Sequence, residues 1–238
     1  MTIRTVAATG STNADMLLLA RDGAAEGLWL RADRQTDGKG RLGRAWVSEP
    51  GNLYASTLVR LSHDDPPPAT LALVAAVALH EAVGAVLPAG GPAATLKWPN
   101  DLLIGEAKLS GILLERSGDA VVVGIGVNLA HHPDLADRPT TSLGAQGAPV
   151  AAAVFAEELA EIFARWLAIW RGQGMAPVRD GWLAAAHPVG TPLHVRLPDG
   201  SSRDGLFAGL EADGALILHL ASGERHVIHA ADVSVLKD

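Results

Sequence analysis

Short apolar stretches of strand length alternate with longer runs whose apolar residues recur every three or four positions, and this pattern holds from residue 5 to about residue 170. Thr5 to Ala8 predicts a short strand. After Gly10, the run from Ser11 to about Arg21 predicts a helix, with Ser11 or Thr12 placed to cap it and Asp15 as a weaker capping-box partner. Leu28 to Ala32 and Leu53 to Leu61 predict two further strands. Pro66, Pro67 and Pro68 can start a helix but cannot lie inside one, so the Ala- and Leu-rich run to Leu87, stopped by Pro88, reads as one buried helix. A short strand ending in LKWPNDLLI, a turn at Gly105-Glu106, and strands from Leu109 to Glu115 and from Ala120 to Leu129 follow. The continuous apolar run VVVGIGVNL suits a strand covered on both faces, and an α/β or α+β sheet domain results. His131 to Pro149, rich in Pro, Gly, Asp and Thr, predicts a long loop in which His131 and His132 lie on the surface. Phe155, Leu159, Ile162, Phe163, Trp166 and Trp170 recur at helical spacing and predict an amphipathic helix that docks on the sheet.

Past Trp182 and the break at Pro188 to Gly190 the period changes. Short strands separated by DG, DG and SG turns predict a small all-β module, marginal alone unless it packs on the larger unit. The division falls at residues 1–186 and 187–238.

Composition narrows the chemistry. The chain has 238 residues and a net charge of −7 with both signs dispersed, which argues against a general nucleic-acid binder. It has no cysteine, so a disulfide, a thiolate metal site and thioester chemistry on this chain are excluded. The start, MTIRTVAATGST, lacks a secretory pattern, and the most apolar segment, Leu71 to Leu87, is interrupted by His80 and Glu81; both point to a cytoplasmic protein with no membrane partner. Against this acidic background, Asp37 to Trp46, DGKGRLGRAW, places Lys39, Arg41 and Arg44 among Gly38, Gly40 and Gly43. Glycines let main-chain N–H groups approach an anion and the cations supply charge and forked donors, a combination suited to a phosphorylated ligand.

That loop, with Gln35 before it, is followed in order by KWPNDLLIGEAKLSGILLE (Lys97 to Glu115) and GIGVNL (Gly124 to Leu129), preceded by STN (Ser11 to Asn13) and trailed by TSL (Thr141 to Leu143). In this order the stretches resemble the catalytic domain of biotin–protein ligases, and the resemblance covers nearly the whole chain. It implies an α+β fold: a mixed β-sheet catalytic domain flanked by helices, of the class II aminoacyl-tRNA synthetase and biotin ligase kind, followed by a small SH3-like β-barrel. The STN motif begins too near the start for a preceding helix-turn-helix, so the resemblance is to the monofunctional type, with no DNA partner. It leaves the choice between a monomer and a weak homodimer open.

The activity implied has two steps. Biotin carboxylate attacks the α-phosphorus of ATP to give biotinyl-AMP and pyrophosphate, and a lysine of a biotin carboxyl carrier protein then attacks the mixed anhydride, with Mg²⁺ assisting. Residue by residue, the resemblance places biotin against Ser11, Thr12, Asn13, Gln35, Gly38, Gly111 and Ile112. Arg41 and Lys108 meet its carboxylate and the phosphate, and together with Asp101 form the catalytic set. Lys39, Arg44, Asn100 and Asn128 contact the adenylate, and Trp46 closes over the adenine. Asp101 holds Mg²⁺ or orients the incoming amine. One departure stands out: the family loop is commonly GRGRxGR, and here Lys39 occupies the first arginine position, a point charge in place of a fork. So many glycines also imply a loop that is mobile until ligand anions order it. Two alternatives remain, a lipoate or octanoate ligase of the same superfold and a non-catalytic nucleic-acid-binding module.

Overall fold

The computed structural model describes residues 2–136 and 138–236. Residues 1, 137, 237 and 238, which the sequence reading assigns to the domain ends and the long loop, lie outside the described residues. Strand β1 (Thr2–Thr9), helix α1 (Thr12–Arg21) and strand β2 (Leu28–Gln35) form a parallel crossover unit. Strand β3 (Leu53–Arg60) leads into helix α2 (Leu71–Val86), then β4 (Ala94–Lys97), β5 (Asp101–Ile104), β6 (Ala107–Ser117) and β7 (Ala120–Val127). These strands make one seven-stranded sheet in the order β1-β2-β3-β7-β6-β5-β4. The pairs from β2 to β4 are antiparallel, so the sheet is mixed.

Strand alternation assigns the two faces different coverings. Trp29, Val59, Val121, Val123 and Ile125 point to the face covered by α2 and by helices α3 (Ala152–Gln173) and α4 (Met175–Ala185). Helix α2 is apolar almost all round because it is buried almost all round; Leu71, Val74, Ala75, Ala78 and Leu79 are fully enclosed. Trp29 meets Phe163 of α3 edge-on at 5.6 Å. On the opposite face α1 sets Met16 and Ala20 against Leu28, Leu30, Leu58 and Val122. Its main strand neighbours are β3 and β7, and it leaves the β5–β6 side of that face to other groups.

The barrel follows: β8 (Pro192–Arg196), β9 (Ser202–Leu210), β10 (Leu216–His219), β11 (Arg225–Ile228) and β12 (Asp232–Val235), ordered β11-β10-β9-β8-β12 and antiparallel throughout. Its three turns carry Gly200, Gly214 and Gly223 at φ of 86°, 84° and 84°, the left-handed geometry that the DG and SG pairs predict. The barrel does not stand apart. Val195, Phe207, Leu216 and Val233 belong to the same buried cluster as the large sheet, and the indole of Trp98 donates to the carbonyl of Gly214 at 3.0 Å.

Three expectations change. The stretch ending in LKWPNDLLI is two antiparallel strands, β4 and β5, joined through a cis Trp98-Pro99 bond, with Lys97 opposite Asp101. Helix α4 is an element that the sequence pattern does not predict. Pro177 sits in its first turn, where no N–H is required, and Gly181 lets the helix approach Trp166, whose ring lies 3.1 Å from where a Cβ would stand. Ser11 is the N-cap residue of α1, yet neither it nor Asp15 makes the side-chain capping bond; Asp15 instead accepts from Thr9 at 2.5 Å.

The packing predicts a contrast within the helices. Leu79→Ala, at a fully enclosed α2 position, lowers unfolding free energy by about 2–5 kcal/mol in urea titration, whereas Leu18→Ala, on the half-exposed side of α1, changes it by less than about 0.5 kcal/mol.

Candidate active site

Strand register builds the floor of the site. One row of neighbours runs across six strands, from Ala32 through Tyr54, Gly126, Gly111 and Asp101 to Lys97. The adjacent row is Leu30, Ser56, Gly124 and Leu113. Where both rows cross β7, at Gly126 and Gly124, and where the first crosses β6, at Gly111, the side chains are missing, and other groups settle onto bare backbone. A Cβ on Gly126 would lie 2.7 Å from the Trp46 ring, one on Gly111 would lie 3.2 Å from it, and one on Gly124 would overlap the Asn13 amide. Gly111 is on the same side as Lys108 because Leu109 is an extra residue between Leu102↔Ser110 and Leu103↔Lys108, a bulge that inverts the parity of β6.

At one end of this floor the side chains that line the cavity are neutral and held in a bonded network. Gln35 accepts from the Thr12 backbone N–H at 2.9 Å and its hydroxyl at 3.1 Å, and donates to Ser48 at 3.1 Å. Ser56 donates to Asn13 at 2.6 Å and stands 2.7 Å from the Thr12 hydroxyl; Asn13 donates to Glu115 at 2.8 Å. Thr12 and Asn13 are thus held by β2, β3 and β6 as well as by their own helix, which fixes the direction of every donor and acceptor. Tyr54 completes the floor, and burial pushes its phenol up to about 12, so it stays neutral.

The other end is charged. Lys108 reaches Asp101 at 2.5 Å and Lys97 reaches its second oxygen at 3.4 Å, with Asp101 almost wholly buried. Burial alone would raise the Asp101 carboxyl, but the two ammonium groups outweigh it and hold it below the ordinary carboxylate range. Burial lowers Lys108, an effect opposed by Asp101 and reinforced by the cations Lys97 and Arg138. The Lys108 ammonium also lies 5.5 Å from the centroid of the Trp46 ring.

The basic loop is a small hairpin whose stem pairs Lys39 with Ala45 and whose tip is a 3-10 turn over Arg41–Gly43. Arg41 donates to the Asn100 side-chain oxygen at 3.3 Å and to the Ala231 carbonyl at 3.3 Å, while Arg44 forms an ion pair with Asp232. Asn100 is aimed by its own bond to the Ile112 carbonyl at 2.7 Å. The loop therefore rests on the barrel.

A cavity of about 650 Å³ joins the two ends. Ser11, Thr12, Asn13, Gln35, Lys39, Arg41, Arg44, Trp46, Asn100, Asp101, Lys108, Gly111, Ile112 and Asn128 all line it, so the residues singled out in sequence converge. Gly38 does not line it. It is buried behind the wall, where a Cβ would lie 2.7 Å from both Ser48 and the Trp46 carbonyl, and its work is to let the loop fold onto Gln35. Trp46 lies on the glycine floor beside Lys108. Asn128 spends its amide N–H on the Thr141 carbonyl at 3.0 Å, while Lys39, largely exposed, pairs with Asp37 at 3.0 Å. As a metal ligand Asp101 fits poorly: its oxygens face two ammonium groups, and no cluster of three acidic or histidine side chains exists among the described residues to share an ion. Sequence reading missed Tyr54, Pro133, Leu135, Arg138, Thr140 and five barrel residues, His194, Arg196, Asp232, Val233 and Ser234, all of which line the cavity, and it missed Ser56, which orients Asn13 from behind it. Only register and barrel docking bring them there, and neither leaves a local motif.

The fold and site meet one protein class. The chain belongs to the biotin/lipoate A/B protein ligase family, whose profile matches residues 11–129. Residues 190–236 match the biotin protein ligase C-terminal domain. The chain is 43% identical over 241 aligned residues to a biotin–[acetyl-CoA-carboxylase] ligase of Paracoccus denitrificans, covering 96% of this chain and 98% of the relative. It shares the fold of the Aquifex aeolicus biotin protein ligase in complex with biotin and ATP, with a TM-score of 0.86, 24% identity and coverage of 100% and 99% of the two chains. The Leishmania major biotin protein ligase in complex with biotinyl-5-AMP superposes with a TM-score of 0.69 at 25% identity, over 96% and 99%.

The buried ion triad predicts a pH signature. With its folded pKa below the ordinary 3.8, Asp101 contributes stability that is fully present above that value and is lost as pH falls through the lower folded pKa. Asp101→Asn, which strands two cations, lowers stability at pH 7 by about 3 kcal/mol. Chemical denaturation repeated at falling pH should show the gap between wild type and variant closing below about pH 4.

Proposed function

We propose that this chain is a biotin–protein ligase, which activates biotin with ATP as biotinyl-5′-AMP and transfers biotin to a lysine of a biotin carboxyl carrier protein. The observation that carries the reading is the polarity of the cavity between sheet, loop and barrel. Neutral, fully oriented donors and acceptors lie at the Thr12–Asn13–Gln35 end, and ammonium and guanidinium groups lie at the Lys108–Arg41 end. A ureido ring with a carboxylate tail matches both.

In the first step the attacking carboxylate and the triphosphate are both anions. Lys108 and Arg41 draw the carboxylate oxygen to the α-phosphorus, the new P–O bond forms as the bond to the β-phosphate breaks, and pyrophosphate leaves. Asp101 acts as a positioning residue, keeping Lys108 charged and aimed despite burial. Magnesium arrives with the nucleotide as the Mg-ATP substrate. Trp46 walls the floor beside Lys108, with its indole edge against Gly126. Asn100, held by Ile112, fixes Arg41; Asn128 and Thr141 support the nucleotide side. In the second step the carrier amine attacks the anhydride carbonyl and AMP departs, while the closed pocket keeps water away.

The same family includes lipoate ligases. The hydrogen-bonded set of Thr12, Asn13, Gln35 and Ser56 favours biotin, because an apolar dithiolane ring offers no partner for the donor and acceptor capacity that their mutual bonds leave over.

Incubation with biotin, Mg-ATP and a biotin carboxyl carrier domain gives a biotin-sized mass gain on the carrier and releases pyrophosphate; absence of both, or equal transfer of lipoate, refutes the assignment. Arg41→Ala slows single-turnover adenylation by roughly 100-fold, about 3 kcal/mol of transition-state stabilisation, and near-normal kinetics in that variant would remove Arg41 from its role.

A further inference from the structure

Two guanidinium groups meet one carboxylate at the seam between loop and barrel, and a third stands on the neighbouring strand. Arg44 is paired with Asp232, and Arg41 lies 3.9 Å from the same side chain. Arg196 is the ladder partner of Asp232 across β8 and β12, so strand alternation sets both side chains on one face of the barrel. Asp232, Arg41, Arg44 and Arg196 all line the cavity. Arg196 makes no hydrogen bond or ion pair among the described residues. The seam therefore holds an excess of positive charge, whereas the inner site already balances part of its own through Asp101.

We infer that Arg196, with Arg41 and Arg44, forms a subsite on the barrel for a pyrophosphoryl group, the β- and γ-phosphates of the nucleotide. The inference rests on the adenylating activity proposed above and adds a residue that the sequence motifs do not mark. Forked guanidinium donors match phosphate oxygens bidentately, and a polyanion supplies the several negative charges that Asp232 alone does not. Position favours a small ligand over a protein surface, because the cluster faces the cavity that also holds Lys108. The division of labour follows: the sheet holds the carboxylate and α-phosphate, and the barrel holds the part that leaves. On nucleotide binding, the outer phosphates compete with Asp232 for Arg41 and Arg44 and take Arg196 outright.

The test is a split between half-reactions. Arg196→Ala should raise the KM for ATP in biotin-dependent pyrophosphate release by about tenfold or more, with Arg196→Lys intermediate, and should weaken calorimetric binding of inorganic tripolyphosphate by a similar factor. Transfer from preformed biotinyl-AMP to the carrier should stay within about twofold of wild type, since no outer phosphate remains. Unchanged ATP KM and tripolyphosphate affinity overturn the inference. So does a slower transfer step with a raised KM for the carrier, which would put Arg196 on the protein acceptor. If the wild type releases no pyrophosphate with biotin but loses tripolyphosphate affinity on Arg196→Ala, the ligase assignment fails and the subsite stands.

Discussion

The site depends on a strip of sheet with no side chains. Gly124 and Gly126 on β7 and Gly111 on β6 occupy neighbouring register positions, and the backbone exposed there is what Asn13 and Trp46 rest upon. In a sheet covered by α2, α3 and α4 on one side and α1 on the other, a continuous apolar strand would ordinarily fill both faces. Here the filled face carries Val123, Ile125 and Val127 while the alternate positions are empty, so a single strand serves as core and as binding floor. The period of two permits this: core packing and the cleft are separated by one residue along the chain.

Charge is arranged around that floor with unequal compensation. The buried end has one carboxylate between two lysines, an arrangement in which breaking the set costs more than the set contributes, so its value lies in orientation. Asp101 is almost inaccessible and lies 2.5 Å from Lys108, which gives that ammonium one favoured direction. The seam at Arg44 and Asp232 is half-exposed and worth about 0–1 kcal/mol. Its weakness is useful, since an anion entering the cavity can replace Asp232 as the partner of the loop arginines without overcoming a large barrier.

The sheet strands, α2, the docking helix α3 and the barrel with its glycine turns were legible in the sequence because each rests on a local period or a turn dipeptide. The motif residues were legible as a set through their order along the chain. What stayed hidden depends on register or on docking. The glycines of GIGVNL look like weak signals in a strand, and only pairing with Gly111 and Tyr54 shows them to be the floor. Ser56 and Glu115 lie in ordinary strand positions, yet they orient Asn13. Helix α4 was obscured by Pro177 and Gly181, whose costs are small at a first turn and at a close approach to Trp166.

The basic loop shows how these layers combine. Its glycines suggest a segment free to move, but the structure gives it a hairpin stem, a bond from Gly40 N–H to the Arg44 carbonyl at 2.7 Å and another from Trp46 N–H to the Gly38 carbonyl at 2.8 Å. Leu42 sits at its tip with φ of 57° and is largely exposed, a conformation tolerated only because flanking contacts fix the ends of the turn. One fixed end is Trp46 on the sheet and the other contact is the barrel through Arg41 and Arg44. These contacts hold the loop cations against the cavity, where an anion would meet them. The barrel, invisible in the motif pattern, is what makes the loop a site.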